Sequence, residues 1–241
     1  MFSYLDRVFE IGYVNMIGHD PQRPVTERWP HLVAELVERL RSYKEPVLGV
    51  GHSLGGYLTM LAALERPELF RAIVVLDSPV IGTWAGRAFG LVKRFGLVDR
   101  VTPAGATRDR RSHWKSAEEA YKHFHGRKVF RNFDPDCLRD YVTLGMVPAA
   151  HGVRLAFDPK IETRIYRTIP HDLVRDLPRL ALPRGFICGR ESGEMRRAGL
   201  AATRKFFRVV RVAGGHLFPF ERPEVAAGAI REMAADLMAS A

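Results

Sequence analysis

The chain has few of the residues that cross-link small secreted domains or bind metal clusters. Its two cysteines, Cys137 and Cys188, lie far apart and outside any metal-ligand spacing. This usage is typical of packed thiols in a reducing compartment rather than of a disulfide framework. We therefore predict no disulfide, no metal and a cytoplasmic location.

Long apolar runs are also missing. No run reaches the ~18 apolar residues of a membrane-spanning helix, and the first seven residues lack a basic segment followed by an apolar one. We expect neither a transmembrane segment nor a signal peptide.

Acidic residues are too few to balance the basic ones. The chain has 37 Lys and Arg against 27 Asp and Glu, a net charge of +10, and the stretch from Arg87 to Arg131 has twelve basic and four acidic residues. Such a stretch could attract an anionic substrate, an acidic partner or a membrane surface, and a solvated helical face gives the same pattern. Since no nucleic-acid-binding motif accompanies the charge, we expect no nucleic-acid partner.

The 241 residues, 46% of them hydrophobic, suit one domain or a core with an inserted subdomain. Strand patterns alternate with helical ones in the first third of the chain. We predict strands at 8–15, 47–50 and 72–76, and helices at 29–40 and 57–64. This alternation favours an α/β fold with a parallel sheet.

The alternation stops after residue 80. Residues 81–182 are basic, aromatic and rich in Pro and Gly, with helical periodicity and no strong strand pattern, which predicts an inserted helical cap. Strand patterns return at 185–189 and 207–212, with helices at 194–205 and 223–238. We therefore divide the chain into a first core part (1–80), a cap (81–182) and a second core part (183–241).

The most informative motif is Gly51-His52-Ser53-Leu54-Gly55-Gly56, between a predicted strand and a predicted helix. A sharp turn there would present the Ser53 hydroxyl at a helix N-terminus, as in a nucleophile elbow. We expect glycine to be needed at both Gly51 and Gly55, because only residues this small let the strand and the helix approach so closely. The backbone N–H of Leu54 would face developing negative charge.

A serine nucleophile needs a base, and His216 has the best position for one. It follows the last predicted strand in Ala213-Gly214-Gly215-His216-Leu217, at the carboxyl edge that also presents Ser53. His52 is expected to point elsewhere on the turn, and His19 lies beyond an earlier strand.

The two motifs together resemble the α/β-hydrolase superfamily, with the nucleophile before the histidine and a cap-sized insertion between them. The resemblance runs from about Phe9 to the C-terminus. It implies an α/β-hydrolase-like parallel sheet flanked by helices and a serine hydrolase, esterase- or lipase-like, that acts through an acyl-enzyme without a cofactor. Its substrate would be a small acyl compound, anionic or apolar. An acyltransferase, a thioesterase and a non-catalytic binding protein that retains the fold stay open as alternatives.

The acid that orients the histidine is ambiguous. The superfamily usually has Asp after the penultimate strand, and Ser192 occupies that place here. Glu191 and Glu194 flank it, but some branches have the acid after the strand that follows the nucleophile helix, where this chain has Asp77. We favour Asp77 over Glu191, and the alternative role for Asp77 is to cap its own turn.

The resemblance also implies about three strands before residue 8 and a loop that supplies a second oxyanion donor. This chain has no room for them, which leaves Leu54 as the identifiable donor. The missing strands would expose a sheet edge, so we expect either a longer parent protein or an oligomer that covers the edge.

Two features of the predicted cap bear on the substrate. The first is a basic amphipathic helix at about 87–100, which could line an acyl pocket, rest on anionic lipid or simply pack on its own core. The second is the segment 166–172, in which Arg167 or His171 could bind a substrate carboxylate or phosphate. The same segment could instead be a hinge that returns the cap to the core. Neither feature identifies the substrate.

Overall fold

The computed structural model describes residues 1–239, which contain two sheets. The strands are β1 (Val47–His52), β2 (Phe70–Leu76), β3 (His113–Trp114), β4 (Met146–Ala149), β5 (Gly152–Leu155), β6 (Arg184–Gly189) and β7 (Arg208–Val212).

Most of the helices are short and lie around these strands. They are α1 (Phe2–Leu5), α2 (Pro30–Leu40), α3 (Leu54–Glu65), α4 (Thr83–Arg94), α5 (Val98–Val101), α6 (Ala104–Arg108), α7 (Ala117–His125), α8 (Pro135–Leu144), α9 (Pro159–Arg167), α10 (Gly193–Ala198), α11 (Ala201–Arg204), α12 (Phe218–Glu221) and α13 (Pro223–Ala239). Single 3-10 turns occur at Pro67–Leu69, Lys128–Phe130, Leu173–Arg175 and Leu177–Arg179. None of the described helices has the length and apolar character needed to cross a membrane.

The main sheet is parallel, in the order β1-β2-β6-β7. This confirms the predicted α/β fold class. The sequence located all four strands. The signal is clearest for β2 and β6, which contain continuous apolar runs, as expected for strands buried on both faces. The register places His52 beside Leu76, and Leu76 beside Ile187, so the carboxyl ends of these strands meet at one edge.

Helices cover both faces of this sheet. On one face, α2 and α3 contribute Leu32, Val33 and Met60 to the larger core cluster. On the other face, α13 packs Ile230 and Met233 against β2 and β6. The edge where the carboxyl ends of the strands meet is therefore supported by an apolar core on each face of the sheet.

The predicted strand at 8–15 is wrong, because these residues form irregular chain. Val8, Tyr13 and Val14 are exposed, and β1 pairs only with β2 among the described strands. Alternating apolar residues form a strand only where a neighbouring strand takes up their backbone hydrogen bonds, and this segment has no such neighbour.

Residues 81–182 are helical in part, as the periodicity predicts, and they also contain three short strands that the sequence pattern did not indicate. β3, β5 and β4 form a small antiparallel sheet, and the tight β4–β5 hairpin closes at Gly152, whose φ of 115° favours glycine. Trp114, Phe124 and Leu138 form a separate apolar cluster against this sheet. The cap and its boundaries at 80 and 182 remain predictions, as does the cytoplasmic location.

Two predicted helices are each split by a glycine with positive φ. The helix expected at 87–100 ends before Gly96 (φ 67°), and the one expected at 194–205 is divided at Gly199 (φ 73°). Glycine adopts this left-handed conformation without a steric cost and therefore commonly ends helices.

Candidate active site

Ser53 occupies a strained turn between β1 and α3, as the elbow motif predicts. Its φ of 50° and ψ of −113° are unusual for a residue with a side chain. Hydrogen bonds hold this conformation: the Ser53 N–H donates to the Leu76 carbonyl at 3.0 Å, and the Ser53 carbonyl accepts from the Ser78 hydroxyl at 2.7 Å. The end of β2 and the turn that follows it therefore hold the elbow from the side.

Glycine is needed in the elbow at Gly51, as predicted, but not at Gly55. A Cβ on Gly51 would lie 2.2 Å from the Gly55 carbonyl oxygen, whereas one on Gly55 would meet nothing within 4 Å. The second close approach is instead at Gly56, where a Cβ would lie 2.1 Å from the Ser78 hydroxyl. Since successive helix residues are turned by about 100°, Gly55 and Gly56 face different neighbours.

His216 lies in the loop after β7, and its ring contacts both other predicted catalytic residues. Nε2 is 3.1 Å from the Ser53 hydroxyl oxygen, and Nδ1 is 2.9 Å from Oδ1 of Asp77. The carboxylate can only accept, so the fitting tautomer has the proton on Nδ1 and leaves Nε2 to accept from the serine. The structure thus brings Ser53, His216 and Asp77 into one continuous chain of hydrogen bonds.

Asp77 is fully buried at the end of β2, and its carboxylate is held from three directions. Oδ1 accepts from His216 and, at 2.7 Å, from the Ser192 hydroxyl, while Oδ2 accepts from the Gly189 N–H at 2.8 Å. These bonds orient the carboxylate toward the histidine. They also account for the side chain without the alternative role of capping its own turn.

The alternative acid, Glu191, lies beside the histidine loop and not against the imidazole. Its Oε2 accepts from the Gly214 N–H at 2.6 Å, and Glu221 accepts from the Gly215 N–H at 2.7 Å. Glu194 is closer to the base, with Oε2 3.9 Å from Nδ1 of His216, beyond hydrogen-bonding distance. The two carboxylates that hold Gly214 and Gly215 therefore stabilise the loop.

His52 supports the site in a way that the sequence did not reveal. Its Nε2 donates to the His216 carbonyl at 2.8 Å, and the two rings lie 5.0 Å apart. Burial, followed by the nearby His216 charge, lowers the pKa of His52 to about 4. A neutral His52 therefore ties the nucleophile turn to the histidine loop at neutral pH. The signal available in the sequence was its position beside Ser53, which does not show where the ring points.

Leu54 is the first residue of α3, so its N–H has no acceptor within the helix. Leu54 directly follows Ser53 at the positive end of the helix dipole, where an anion is stabilised. This geometry suits the predicted oxyanion donor.

The other polar residues considered in the sequence are occupied elsewhere. Arg167 binds Asp99 through Nε at 2.8 Å and Nη2 at 2.5 Å. His171 packs beneath α4, and His19 bridges Ile17 and Asp158. A cleft of about 690 Å³ is lined by Phe133, Glu191, Gly214 and their neighbours, and Ser53 is not part of its lining.

Three potential ligand groups, those of Asp77, Glu194 and His216, lie within 4.8 Å of one another. Both Asp77 oxygens and the His216 Nδ1 proton are already committed to hydrogen bonds. This donor set therefore favours an acid–base pair over a metal site.

Known proteins resemble parts or most of this chain. A 45-residue segment is 44% identical to sn-1-specific diacylglycerol lipase ABHD11 of Mus musculus, a match that covers 19% of this chain and only 15% of the relative.

Two solved structures resemble the chain over most of its length. E-2-(acetamidomethylene)succinate hydrolase superimposes with a TM-score of 0.69 at 26% identity, over 90% of this chain and 78% of the other. The peroxisomal alpha-beta-hydrolase Lpx1 of Saccharomyces cerevisiae superimposes with a TM-score of 0.74 at 15% identity, over 100% of this chain and 74% of the other. The sequence model of the alpha/beta hydrolase family matches residues 8–229. The chain belongs to the alpha/beta hydrolase family.

Proposed function

We propose that this chain is a serine hydrolase that cleaves a carboxylic ester or a related acyl bond. The observation that carries the proposal is the hydrogen-bond chain from the Ser53 hydroxyl through both nitrogens of His216 to the buried Asp77. A base within reach of a serine hydroxyl, itself oriented by a carboxylate, is the arrangement that activates a serine for acyl transfer.

The reaction would proceed in two steps. Ser53 Oγ attacks the acyl carbonyl carbon while its proton passes to Nε2 of His216, and the resulting oxyanion accepts from the Leu54 N–H. The tetrahedral species collapses, the alcohol leaves with the proton from His216, and an acyl-Ser53 ester remains. Water then attacks this ester, again giving its proton to His216, and the carboxylic acid departs as Ser53 is restored.

Asp77 does not exchange a proton in this scheme. It holds the imidazole in the productive tautomer and stabilises the positive charge that His216 acquires. Ser192 and Gly189 keep the carboxylate in place for that task.

The proposal is in line with the relatives, since an sn-1-specific diacylglycerol lipase and E-2-(acetamidomethylene)succinate hydrolase are among them. They leave the substrate of this chain open. With Leu54 as the donor that we can assign, activated aryl esters are the best test substrates, because a good leaving group demands less stabilisation of the oxyanion.

A fluorophosphonate probe and p-nitrophenyl esters of short and long acyl chains test the proposal. We expect covalent labelling at Ser53 and turnover of at least one ester. Ser53→Ala and His216→Ala should each lower kcat by several orders of magnitude, because the two residues act as a unit. The exposed Ser42 provides the control, since Ser42→Ala should leave labelling and turnover unchanged. A folded wild-type chain that is not labelled at Ser53 would favour the non-catalytic alternative.

A further inference from the structure

Helix α4, together with its C-cap residue Phe95, has an exposed apolar stripe on its outer face. Trp84, Leu91 and Phe95 are 80%, 55% and 71% exposed, and Ala88 lies between them. At 100° per residue, positions 84, 88, 91 and 95 fall within an arc of about 60°. Large side chains that would normally be buried thus line one side of the helix.

The inner face of α4 is already occupied, so the outer stripe is not the face that binds the helix to the protein. Gly86 and Gly90 lie against His171, and Lys93 donates to the Ile169 carbonyl at 2.9 Å. These three positions follow the spacing i, i+4, i+7 on the side opposite Trp84. The core contacts of α4 are therefore satisfied while its apolar stripe remains in water.

Positive charge borders the stripe. Arg87 and Arg94 lie about two turns apart on the same side of the helix, next to the stripe, and Arg100 follows in α5. In the described part of the chain none of these three forms an ion pair. The Arg87 guanidinium stacks over the Trp84 ring at 5.1 Å. The nearby Asp99 is bound to Arg167, so its charge is already matched. The unpaired charge at the stripe is uniformly positive.

An apolar stripe with an exposed tryptophan and a flanking row of arginines matches the chemistry of a lipid–water interface with anionic headgroups. α4 has 12 residues, too few to span a bilayer, so it would lie parallel to the surface. We propose that the outer face of α4, extended by Arg100, docks this protein on membranes that contain anionic phospholipid. The docking does not depend on the catalytic proposal.

A second copy of this chain is the competing occupant. Its apolar stripe could cover Trp84 and Phe95, but two such faces would bring six unpaired arginines together, counting Arg87, Arg94 and Arg100 from each. Charge complementarity therefore favours the anionic lipid surface.

Tryptophan fluorescence reports on the contact directly, because Trp84 is exposed whereas Trp29 and Trp114 are buried. Phosphatidylcholine vesicles are compared with vesicles of equal parts phosphatidylcholine and phosphatidylglycerol. We expect a blue shift and cosedimentation with the mixed vesicles only, both weakening as salt is added. Trp84→Phe should abolish the shift and retain binding.

Two double variants separate the apolar contribution to membrane binding from the electrostatic one. Trp84→Ser/Phe95→Ser and Arg87→Gln/Arg94→Gln should each weaken partitioning by roughly tenfold or more. Leu144→Ser and Arg231→Gln, which alter exposed residues outside α4, should bind as wild type. Ser53→Ala should also bind as wild type, so failure of the hydrolase proposal leaves this test intact. Equal binding to neutral vesicles, no binding to either kind, or a vesicle-independent dimer that Trp84→Ser/Phe95→Ser dissociates would overturn the proposal.

Discussion

Among single residues, Asp77 is the most firmly held of the three proposed catalytic groups. Its side chain is fully buried and its carboxylate accepts from a histidine, a hydroxyl and a backbone N–H. Charge-assisted bonds of this kind restrict both position and rotation. In the proposed mechanism, the imidazole of His216 thus exchanges its proton while bonded to a fixed carboxylate.

Replacing Asp77 by Asn tests which carboxylate orients the base. The amide can donate to Nδ1 and favour the wrong tautomer, so we expect kcat to fall by about a thousandfold to ten-thousandfold in Asp77→Asn. Glu191 holds the Gly214 N–H, and Glu191→Gln should therefore cost far less. Ester turnover measures both. Equal losses in the two variants would contradict the assignment of Asp77.

Replacing Ser192 by Asp tests whether a carboxylate at that position restores the kcat lost in Asp77→Asn. Its hydroxyl lies 2.7 Å from Asp77 Oδ1, at the place where the superfamily usually has its acid, and it caps α10, a position that aspartate also suits. We expect Asp77→Asn/Ser192→Asp to recover at least tenfold of the lost kcat, because the carboxylate returns to the vicinity of Nδ1. The pH profile of kcat should recover with it, and a double variant no better than Asp77→Asn would argue against an exchangeable acid.

His52 makes stability sensitive to acid. Its pKa of about 4 in the folded state lies below the ordinary value of 6.5, so the unfolded chain binds a proton first as the pH falls. We expect the free energy of unfolding to drop between pH 6.5 and pH 4, by roughly 3 kcal/mol from this group. Urea unfolding measures the drop. His52→Gln, which keeps a donor for the His216 carbonyl but does not titrate, should show a smaller slope.

At the scale of elements, the strand–turn–helix unit around Ser53 depends on close packing at only some of its glycines. We expect Gly51→Ala to destabilise the fold by about 1–3 kcal/mol, because its Cβ would overlap the Gly55 carbonyl. Gly55→Ala should be neutral or stabilising by up to about 1 kcal/mol, since its Cβ points into open space at a helical position. Urea unfolding of the pair checks this, and equal losses would contradict the difference in packing.

The sequence predicted elements where local chemistry decides them. β2, β6 and α2 were found because apolar runs and helical periodicity are local patterns. The segment 8–15 has the pattern of a strand, yet pairing requires a neighbour that no local pattern reports. The β4–β5 hairpin was missed because its four-residue strands are half-exposed and carry Pro148, which is unusual within a sheet.

The candidate site was likewise predicted where local patterns carry the information and missed where distant segments meet. Ser53 and His216 were predicted as site residues because each lies in a glycine-rich loop that follows a strand. The sequence favoured Asp77 over Glu191 but did not decide between them, since both follow strands at the same edge and the choice depends on which carboxylate reaches Nδ1 in space. The contributions of His52 and Ser192 are contacts between distant segments.

For the whole molecule, the two edges of the main sheet differ in protection. β7 carries Arg208 and Arg211 at its edge, whereas β1 has no Lys, Arg, Asp or Glu. Charged side chains discourage edge-to-edge pairing, so β1 is the edge open to another strand.

We keep one of the two predictions made for this edge, that an oligomer covers it, and we expect such an oligomer to form through β1. Val50→Lys, at an exposed position of β1, should shift the protein toward monomer in sedimentation velocity experiments, because it places a charge beside the unpaired edge. Val210→Lys on β7 is the matched control and should leave the distribution unchanged. A wild-type chain that stays monomeric at high concentration would rule out the oligomer.

The neighbouring positions of β1 and β2 also bear on how the protein is made. Ser53 and Asp77 are presented by adjacent strands, whereas the imidazole comes 139 residues after Asp77. The proposed nucleophile therefore has no base until β7 and the loop that follows it have been synthesised and have docked. We expect a nascent chain that ends before β7 to carry an inert serine.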